Sequence, residues 1–196
     1  MKIKVDRRTL YTISVIKEAF LELINKKPYI KISVTELCKA AEITRSTFYL
    51  HYTNLSEVLN EVIDDALSLS IVNSDINFEN KNISFEDLNE NESLVPACQR
   101  IGNNKKYQKL LLDPDLSEYI IGRIMVKERK HVLPLIIKKT GLSKEDAETL
   151  FSYVIHGSFA VNRLHNFVKD EKWAHDVQFL NKFTQGGYNF LKNNKK

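Results

Sequence analysis

Residues 33–52 constrain the fold of this 196-residue chain most strongly, because they predict two short helices joined by a tight turn. Ser33 and Glu36 have the spacing of a capping box, in which each side chain bonds the backbone N–H of the other residue. Apolar residues then recur at helical spacing, which gives the first helix one buried face. Thr44 can cap the second helix, and Phe48 is its core anchor.

The second of these helices leaves polar side chains near its N-terminal end. Arg45, Ser46 and Thr47 occupy its first turn, and Tyr49 follows them. This arrangement matches the helix-turn-helix, whose second helix enters the major groove of DNA. Arginine can bond guanine through two hydrogen bonds, and Ser or Thr can bond bases or phosphates. The pair of helices therefore predicts a DNA-binding unit.

The rest of the chain contains few residues that interrupt helices. Only ten residues are Gly or Pro, and alternating β-branched runs are scarce, so we predict an all-α fold. No apolar run is long enough for a membrane span, and the N-terminus has no signal-peptide core. We therefore expect a cytoplasmic protein that makes no membrane contact.

The periodicity of apolar residues predicts the bounds of the other helices. A long first helix covers 7–27, and the later helices cover 95–112, 116–130, 143–169 and 172–192. Pro134 is expected to kink or restart the helix that begins at 116, and Gly141 is expected to end it in a left-handed cap.

The last two predicted helices are apolar on more than one face. Such a helix needs a second partner besides its own core, and glycines at 157, 186 and 187 would let two backbones approach closely. We therefore predict a homodimer, the alternative being a helix buried wholly inside one subunit. The predicted interface residues are Tyr153, Gly157, Val161, Leu164, Val168, Val177, Leu180, Thr184, Gly187 and Leu191.

The chain resembles the TetR/AcrR (tetracycline-repressor-like) family of transcription regulators over about residues 8–63. The segment SVTELCKAAEITRSTFYLHY at 33–52 is similar to the family pattern T-V-x-x-I-A-x-x-A-G-V-S-x-x-T-F-Y-x-H-F. Its ending, Thr47-Phe48-Tyr49-Leu50-His51-Tyr52, is the most specific part of the match. The remaining two thirds of the chain resemble the family only in the number and length of helices.

The resemblance implies an N-terminal three-helix helix-turn-helix DNA-binding domain and a C-terminal helical domain for ligand binding and dimerisation. It also implies that Arg45, Ser46 and Thr47 face the base edges, while Tyr49, His51 and the start of the motif hold phosphates. The implied DNA-binding residues are Ser33, Thr35, Thr44, Arg45, Ser46, Thr47, Tyr49 and His51.

Two residues depart from the family pattern. Glu42 stands where the turn usually holds Gly, and a left-handed backbone there would cost roughly 1 kcal/mol. Leu55 stands where the family often has a Lys that reaches a phosphate, so one expected phosphate contact is missing.

Charge and composition divide the chain into segments. We assign a DNA-binding domain to 1–53, a connecting helix to 54–72, an acidic loop to 73–93, and an effector-binding and dimerisation domain to 94–196. The net charge is +4 over 1–60, −7 over 61–100 and +7 over 101–196. A basic N-terminal region suits a polyanionic partner, although a solvated surface of mixed charge would give the same numbers.

We expect a homodimeric repressor that binds double-stranded DNA at a palindromic operator. Its two recognition helices would enter major-groove faces about 34–36 Å apart, or a multiple of that distance. A small apolar or aromatic effector would favour a different separation and so lower the affinity for DNA. The predicted effector-pocket residues are Tyr107, Leu111, Tyr119, Arg123, Met125, Phe151, Ile155 and Phe159.

Two other classes of function are alternatives to a DNA-binding repressor. A TetR-like coactivator or adaptor would act through protein partners and bind DNA weakly, for which the missing Lys leaves room. An enzyme is disfavoured because the five histidines are scattered and no metal, nucleophile or phosphate-loop motif is present. We therefore predict no catalytic activity, no cofactor and no metal, and we expect Cys38 and Cys98 to be buried free thiols.

Overall fold

The computed structural model describes residues 6–68 and 96–194, and within these residues the regular structure is helical, which confirms the predicted all-α fold. The predicted acidic loop at 73–93 lies outside the described residues. Short 3-10 turns cover Tyr29–Lys31 and Pro114–Leu116. The α-helices are α1 (Arg7–Lys26), α2 (Val34–Ala40), α3 (Arg45–Tyr49), α4 (Leu55–Ser68), α5 (Ala97–Gly102), α6 (Lys105–Leu112), α7 (Ser117–Thr140), α8 (Lys144–Leu164) and α9 (Glu171–Asn193).

Side chains that bond the free N–H groups of the first turn set the helix starts. The side chains of Asp6, Ser143 and Asp170 each accept such an N–H, at 2.7–3.2 Å. Gly141 ends α7 with φ at 69°, which confirms the predicted left-handed cap. None of the described helices combines the length and apolar composition that a bilayer span requires.

Two predicted helix bounds in the second half were wrong. The predicted helix over 95–112 is two helices, because the side chain of Asn104 accepts the Lys106 N–H at 3.1 Å and starts α6 there. Conversely, α7 continues through Pro134 to Thr140 as one helix, with Pro134 exposed on its surface.

The chain turns sharply after α8, which ends at Leu164 rather than at the predicted residue 169. Asn166 and Phe167 have φ of 52° and 56°, in the left-handed region that side chains rarely adopt. Phe167 is buried and lies so close to Gly102 that a Cβ there would be 2.5 Å from the Phe167 Cβ. Gln99 Nε2 donates to the Phe167 carbonyl at 2.8 Å, so packing and a buried hydrogen bond hold the turn.

One hydrophobic core joins the N-terminal helices, α1–α3, to the C-terminal helices, α5–α9, which we term the head and the body. Phe20 of α1 and Phe48 of α3 belong to the same buried cluster as Leu110 of α6 and Ile120 of α7. The backbone N–H of Tyr29 also donates to the Asp113 carboxylate of the body at 2.7 Å. The head is therefore packed directly against the body and α4.

Candidate nucleic-acid interface and the surfaces of the body

The predicted capping box is present at the start of α2. The hydroxyl of Ser33 accepts the Glu36 N–H at 3.3 Å, and the Glu36 carboxylate accepts the Ser33 N–H at 3.1 Å. Lys27 Nζ donates to the same carboxylate at 2.5 Å, and this bond, followed by the bonds from Ser33, lowers the pKa of Glu36 to about 2. Ser33 is thus used by the cap, whereas the neighbouring Thr35 is exposed on the first turn.

Glu42 forms the turn between α2 and α3 with a left-handed backbone. Its φ is 53°, and the following N–H, that of Ile43, donates to the Cys38 carbonyl at 3.0 Å. This bond closes the end of α2 in the manner of a Schellman cap, where glycine is the usual residue. The turn therefore has the left-handed backbone for which glycine is the usual residue, formed here by a strained non-glycine residue.

Phe48 fixes α3 on the head, because its ring is fully buried. The ring lies 5.8 Å from the ring of Tyr52, which is also buried and whose hydroxyl donates to Glu61 of α4 at 2.7 Å. With this face of α3 held against the core, the opposite face is left at the surface.

The surface of α3 presents Arg45 and Tyr49, which stand one helical turn apart. Both side chains are exposed, and the guanidinium carbon of Arg45 lies 6.0 Å from the centre of the Tyr49 ring. Hydrogen bonding to the Tyr49 hydroxyl raises the pKa of Arg45, so the guanidinium stays charged. A cation supported by an exposed aromatic ring is suited to bond phosphate oxygens or a guanine edge.

Hydroxyl groups surround the N-terminal end of α3. Thr44 Oγ1 accepts the Thr47 N–H at 3.1 Å, which confirms its predicted capping role. The same oxygen lies 2.8 Å from the Ser46 hydroxyl and 2.9 Å from the Thr47 hydroxyl. Ser46 is exposed, Thr47 is half-buried, and His51 is half-buried just after the helix. All of these residues therefore lie on or beside the α3 surface.

Sequence reasoning missed Leu50, whose side chain is 81% exposed directly after α3. Its position four residues after Ser46 places it over the same face, and this spacing is the signal that would have found it. Leu55, in contrast, is half-buried against the core of the head, so the departure from the expected Lys has a packing role.

Comparison with known proteins finds two partial relatives, and no protein-family model matches the chain. This chain is 34% identical over 61 residues to YxbF of Bacillus subtilis, an uncharacterised HTH-type transcriptional regulator. It is 33% identical over 59 residues to DhaS of Lactococcus lactis, named a transcriptional activator of the dhaKLM operon. These stretches cover 31% and 30% of this chain but only 16% and 32% of the two relatives.

The chain is similar to helix-turn-helix transcriptional regulators. Transcription regulation is a non-enzymatic role, in agreement with the predicted absence of catalysis. A solved structure of the dihydroxyacetone kinase operon activator DhaS aligns with 90% of this chain and 97% of that chain, at 20% identity and a TM-score of 0.41.

The body contains a cavity of about 180 Å³ between α5, α7, α8 and α9. Ile155 and Phe159, two of the eight predicted effector-pocket residues, line it. The other lining residues are Pro96, Ala97, Cys98, Arg100, Ile124, Glu128, Val132, Leu135, Ile136, Lys139, Val154, Ser158, Leu180, Asn181, Thr184, Gln185 and Tyr188. Burial raises the pKa of the Cys98 thiol to about 12, as expected for an unreactive buried cysteine.

The other six predicted pocket residues do not line this cavity. Tyr107, Leu111 and Phe151 are buried in the hydrophobic clusters, and Met125 packs against them. Tyr119 and Arg123 instead face α4, where both side chains donate to Asn60 Oδ1 and Arg123 also bonds Asp64. Of these six residues, four pack in the hydrophobic core and two contact α4. The helical periodicity of a sequence does not distinguish the wall of a pocket from a packed interior.

The predicted dimer residues of α8 lie at the surface of the subunit. Tyr153 and Leu164 are exposed, as is Val168 after the helix. Gly157 and Val161 are partly buried beside them.

On α9 the predicted interface residues do not all lie at the surface of the subunit. Val177 is buried in the subunit, and Leu180 and Thr184 line the cavity, so these three residues face inward. Gly187 is exposed and Leu191 is half-buried at the edge of the inner face. The outward face instead carries Phe179, Phe183 and Phe190, whose side chains are 62–66% exposed.

Proposed function

We propose that this chain is a ligand-responsive transcription regulator of the TetR/AcrR type that binds DNA through α2 and α3. The observation that carries the proposal is the exposed Arg45–Tyr49 pair on a helix whose other face is fixed by buried Phe48. The left-handed turn at Glu42 and the caps at Ser33 and Thr44 support it, because they set the geometry of a helix-turn-helix. The two partial relatives support the same class of function.

Exposed apolar residues on α8 and α9 support a homodimer. Phe179, Phe183 and Phe190 form a row on α9, and large exposed apolar patches mark interaction sites in soluble proteins. At Gly157 and Gly187 an added Cβ would meet nothing within 4 Å, so these surfaces are open to a close partner. A second copy is the natural occupant, since a helix-turn-helix dimer reads two half-sites with two-fold symmetry.

The two-fold symmetry of the proposed dimer predicts the form of its operator. Selection of bound sequences from random duplexes should enrich inverted repeats whose half-site centres are about 34–36 Å apart, or a multiple of that distance. The logarithm of the affinity should fall linearly with the logarithm of the salt concentration, since phosphate contacts release counterions. Enrichment of no sequence, together with salt-independent binding, would contradict DNA recognition by α3.

Regulation is proposed to be repression that an effector in the body cavity relieves. The cavity lies against the inner face of α9, whose outer face carries the phenylalanine row, so a ligand there contacts the helix that would form the dimer. A reporter gene placed behind the selected operator should lose expression when the chain is produced. The relative DhaS is named an activator, and a rise in reporter expression would indicate that this chain activates transcription instead.

An adaptor that acts through protein partners is the second candidate. The observation in its favour is the apolar surface of the head, where Leu50 and Tyr11 are strongly exposed, together with Leu55 in place of a phosphate-binding Lys. A duplex affinity that is weak and nearly independent of salt would favour the adaptor over the DNA-binding regulator.

A further inference from the structure

The side of α3 that points away from the core carries an apolar side chain at its centre. Phe48 is fully buried, and helical residues two positions before or after it point about 200° around the axis, to the opposite side. These two residues are Ser46, which is exposed, and Leu50, whose side chain is 81% exposed. Leu50 therefore occupies the part of α3 that stands furthest from the core of the head.

The backbone on both sides of Leu50 is fixed. Leu50 is the C-cap of α3 and keeps right-handed helical angles, with φ at −73° and ψ at −21°. Its N–H donates to the Ser46 carbonyl at 3.2 Å, and the N–H of the buried Tyr52 donates to the Phe48 carbonyl at 3.0 Å. Because these bonds already hold the segment, a contact made by the Leu50 side chain requires little further ordering of the backbone.

The surroundings of Leu50 favour a nucleic acid over a protein as its partner. The same short helix carries the exposed cation of Arg45, and hydroxyl groups of Thr44, Ser46 and Thr47 surround its N-terminal end. The centre of a protein interface is depleted in charged residues and belongs to a buried area of about 800 Å² on each partner. One leucine on a polar, positively charged helix fits this description poorly.

The chemistry of the major groove limits what Leu50 can contact there. In the proposed function α3 enters this groove, so the side chain that stands furthest from the core would be pressed against base edges. These edges display hydrogen-bond donors and acceptors, together with a single apolar group, the C5-methyl of thymine. Burying a donor or acceptor against a leucine costs free energy, whereas burying a methyl group is favourable. The position therefore favours thymine over the other three bases.

We propose that Leu50 determines sequence specificity by packing its side chain on the C5-methyl group of a thymine in each half-site. The inference rests on the proposed function, since it requires α3 to bind in the major groove. It goes beyond that function by assigning one base to one apolar residue, in addition to the polar contacts expected of Arg45.

The test uses the full chain and the duplex selected from random sequences. Each thymine of one half-site is replaced in turn by deoxyuridine, which pairs in the same way and lacks only the methyl group. At one of these thymines, the replacement should weaken binding about fourfold, as expected for the loss of one buried methyl group. Leu50→Ala should bind the thymine and uracil duplexes equally, and its salt dependence should equal that of the wild type because no charge has changed.

Ile30→Ala is the matched control, because Ile30 is an aliphatic residue of the same size that is 67% exposed on the head. This variant should retain the full loss on uracil. Leu50→Val shortens the side chain and should reduce the loss, so it serves if the alanine variant binds too weakly to be titrated.

Three results would overturn the assignment while leaving DNA binding by α3 in place. These are a selected half-site without thymine, equal wild-type affinities for the thymine and uracil duplexes, and an undiminished loss on uracil in both Leu50 variants. A chain that binds no duplex at any salt concentration would instead contradict the proposed regulator, and this inference with it.

Discussion

The guanidinium carbon of Arg45 lies 6.0 Å from the centre of the Tyr49 ring, one turn away along α3. At an exposed site such a cation–π contact contributes about 0.5–1 kcal/mol, enough to restrict where the guanidinium points. Tyr49 is itself held edge-on against the buried ring of Phe48, at 5.3 Å between ring centres. The orientation of this exposed cation is thus linked to the core of the head through two aromatic rings.

Strain at Glu42 predicts that glycine is the better residue for this turn. Glu42→Gly should raise the free energy of unfolding by up to about 1 kcal/mol, because the left-handed cost of an L-residue is partly offset by the greater unfolded-state entropy of glycine. Glu42→Ala removes the same charge but keeps the strain, so it should not stabilise the chain. Denaturant unfolding of both variants separates these effects, and equal stabilities of the Gly and Ala variants would be inconsistent with backbone strain.

Gly102 and Gly122 should respond in opposite ways to alanine. Gly102→Ala should destabilise the chain by about 1–3 kcal/mol, since the new Cβ would be 2.5 Å from the Phe167 Cβ, on a turn with little freedom to move. Gly122→Ala, in a helix with nothing within 4 Å of the new Cβ, should stabilise by about 0.5–1 kcal/mol. Chemical denaturation measures both, and a neutral Gly102→Ala would refute the close packing of the α8–α9 turn.

Glu36 should make the stability of the head depend on acid pH. Its pKa is lowered from 4.5 to about 2 by Lys27 and Ser33, so the folded state favours the ionised carboxylate. The resulting stabilisation is present in full above pH 4.5 and is lost as the pH falls towards 2. Glu36→Gln should therefore be less stable than the wild type at neutral pH, and the difference should shrink on acidification. Glu22→Gln, at an exposed carboxylate of α1, is the control, and a difference that does not change with pH would contradict this assignment.

The phenylalanine row on α9 predicts the oligomeric state. Phe183→Asp should convert a dimer to a monomer in sedimentation experiments, because it places a charge in the centre of the apolar surface. Asn189→Asp adds the same charge to an exposed position about 100° around the helix from Phe190, and should leave the dimer intact. A wild-type chain that sediments as a monomer, or two variants with the same behaviour, would exclude this surface as the interface.

Local signals explain why the head could be predicted from sequence. The Ser33 box, the Thr44 cap and the Phe48 anchor each depend on residues within a few positions of one another, and all three are present. The departure at Glu42 did not change the turn, since its backbone is left-handed there. The role of the exposed residues in DNA binding stays a prediction.

The body was predicted less well because distant packing selects among apolar stripes that look alike in sequence. Val177 and Phe179 are both apolar and two residues apart on α9, yet one is buried and the other is exposed. Similarly, Phe151 is core and Phe159 lines the cavity, although both lie at helical spacing on α8. The residues that give the cavity its charge, Arg100 and Glu128, are 28 positions apart, and no local pattern joins them.

Duplex binding by Arg45 variants over a range of salt concentrations tests the central claim most directly. On the selected sequence, Arg45→Ala should lose about 1–3 kcal/mol, and on random duplexes it should lose much less. Arg45→Lys keeps the charge without the two-pronged geometry, so it should retain most of the salt dependence while losing sequence preference. If instead Arg45→Ala binds selected and random duplexes as well as the wild type does, α3 is not the helix that reads DNA.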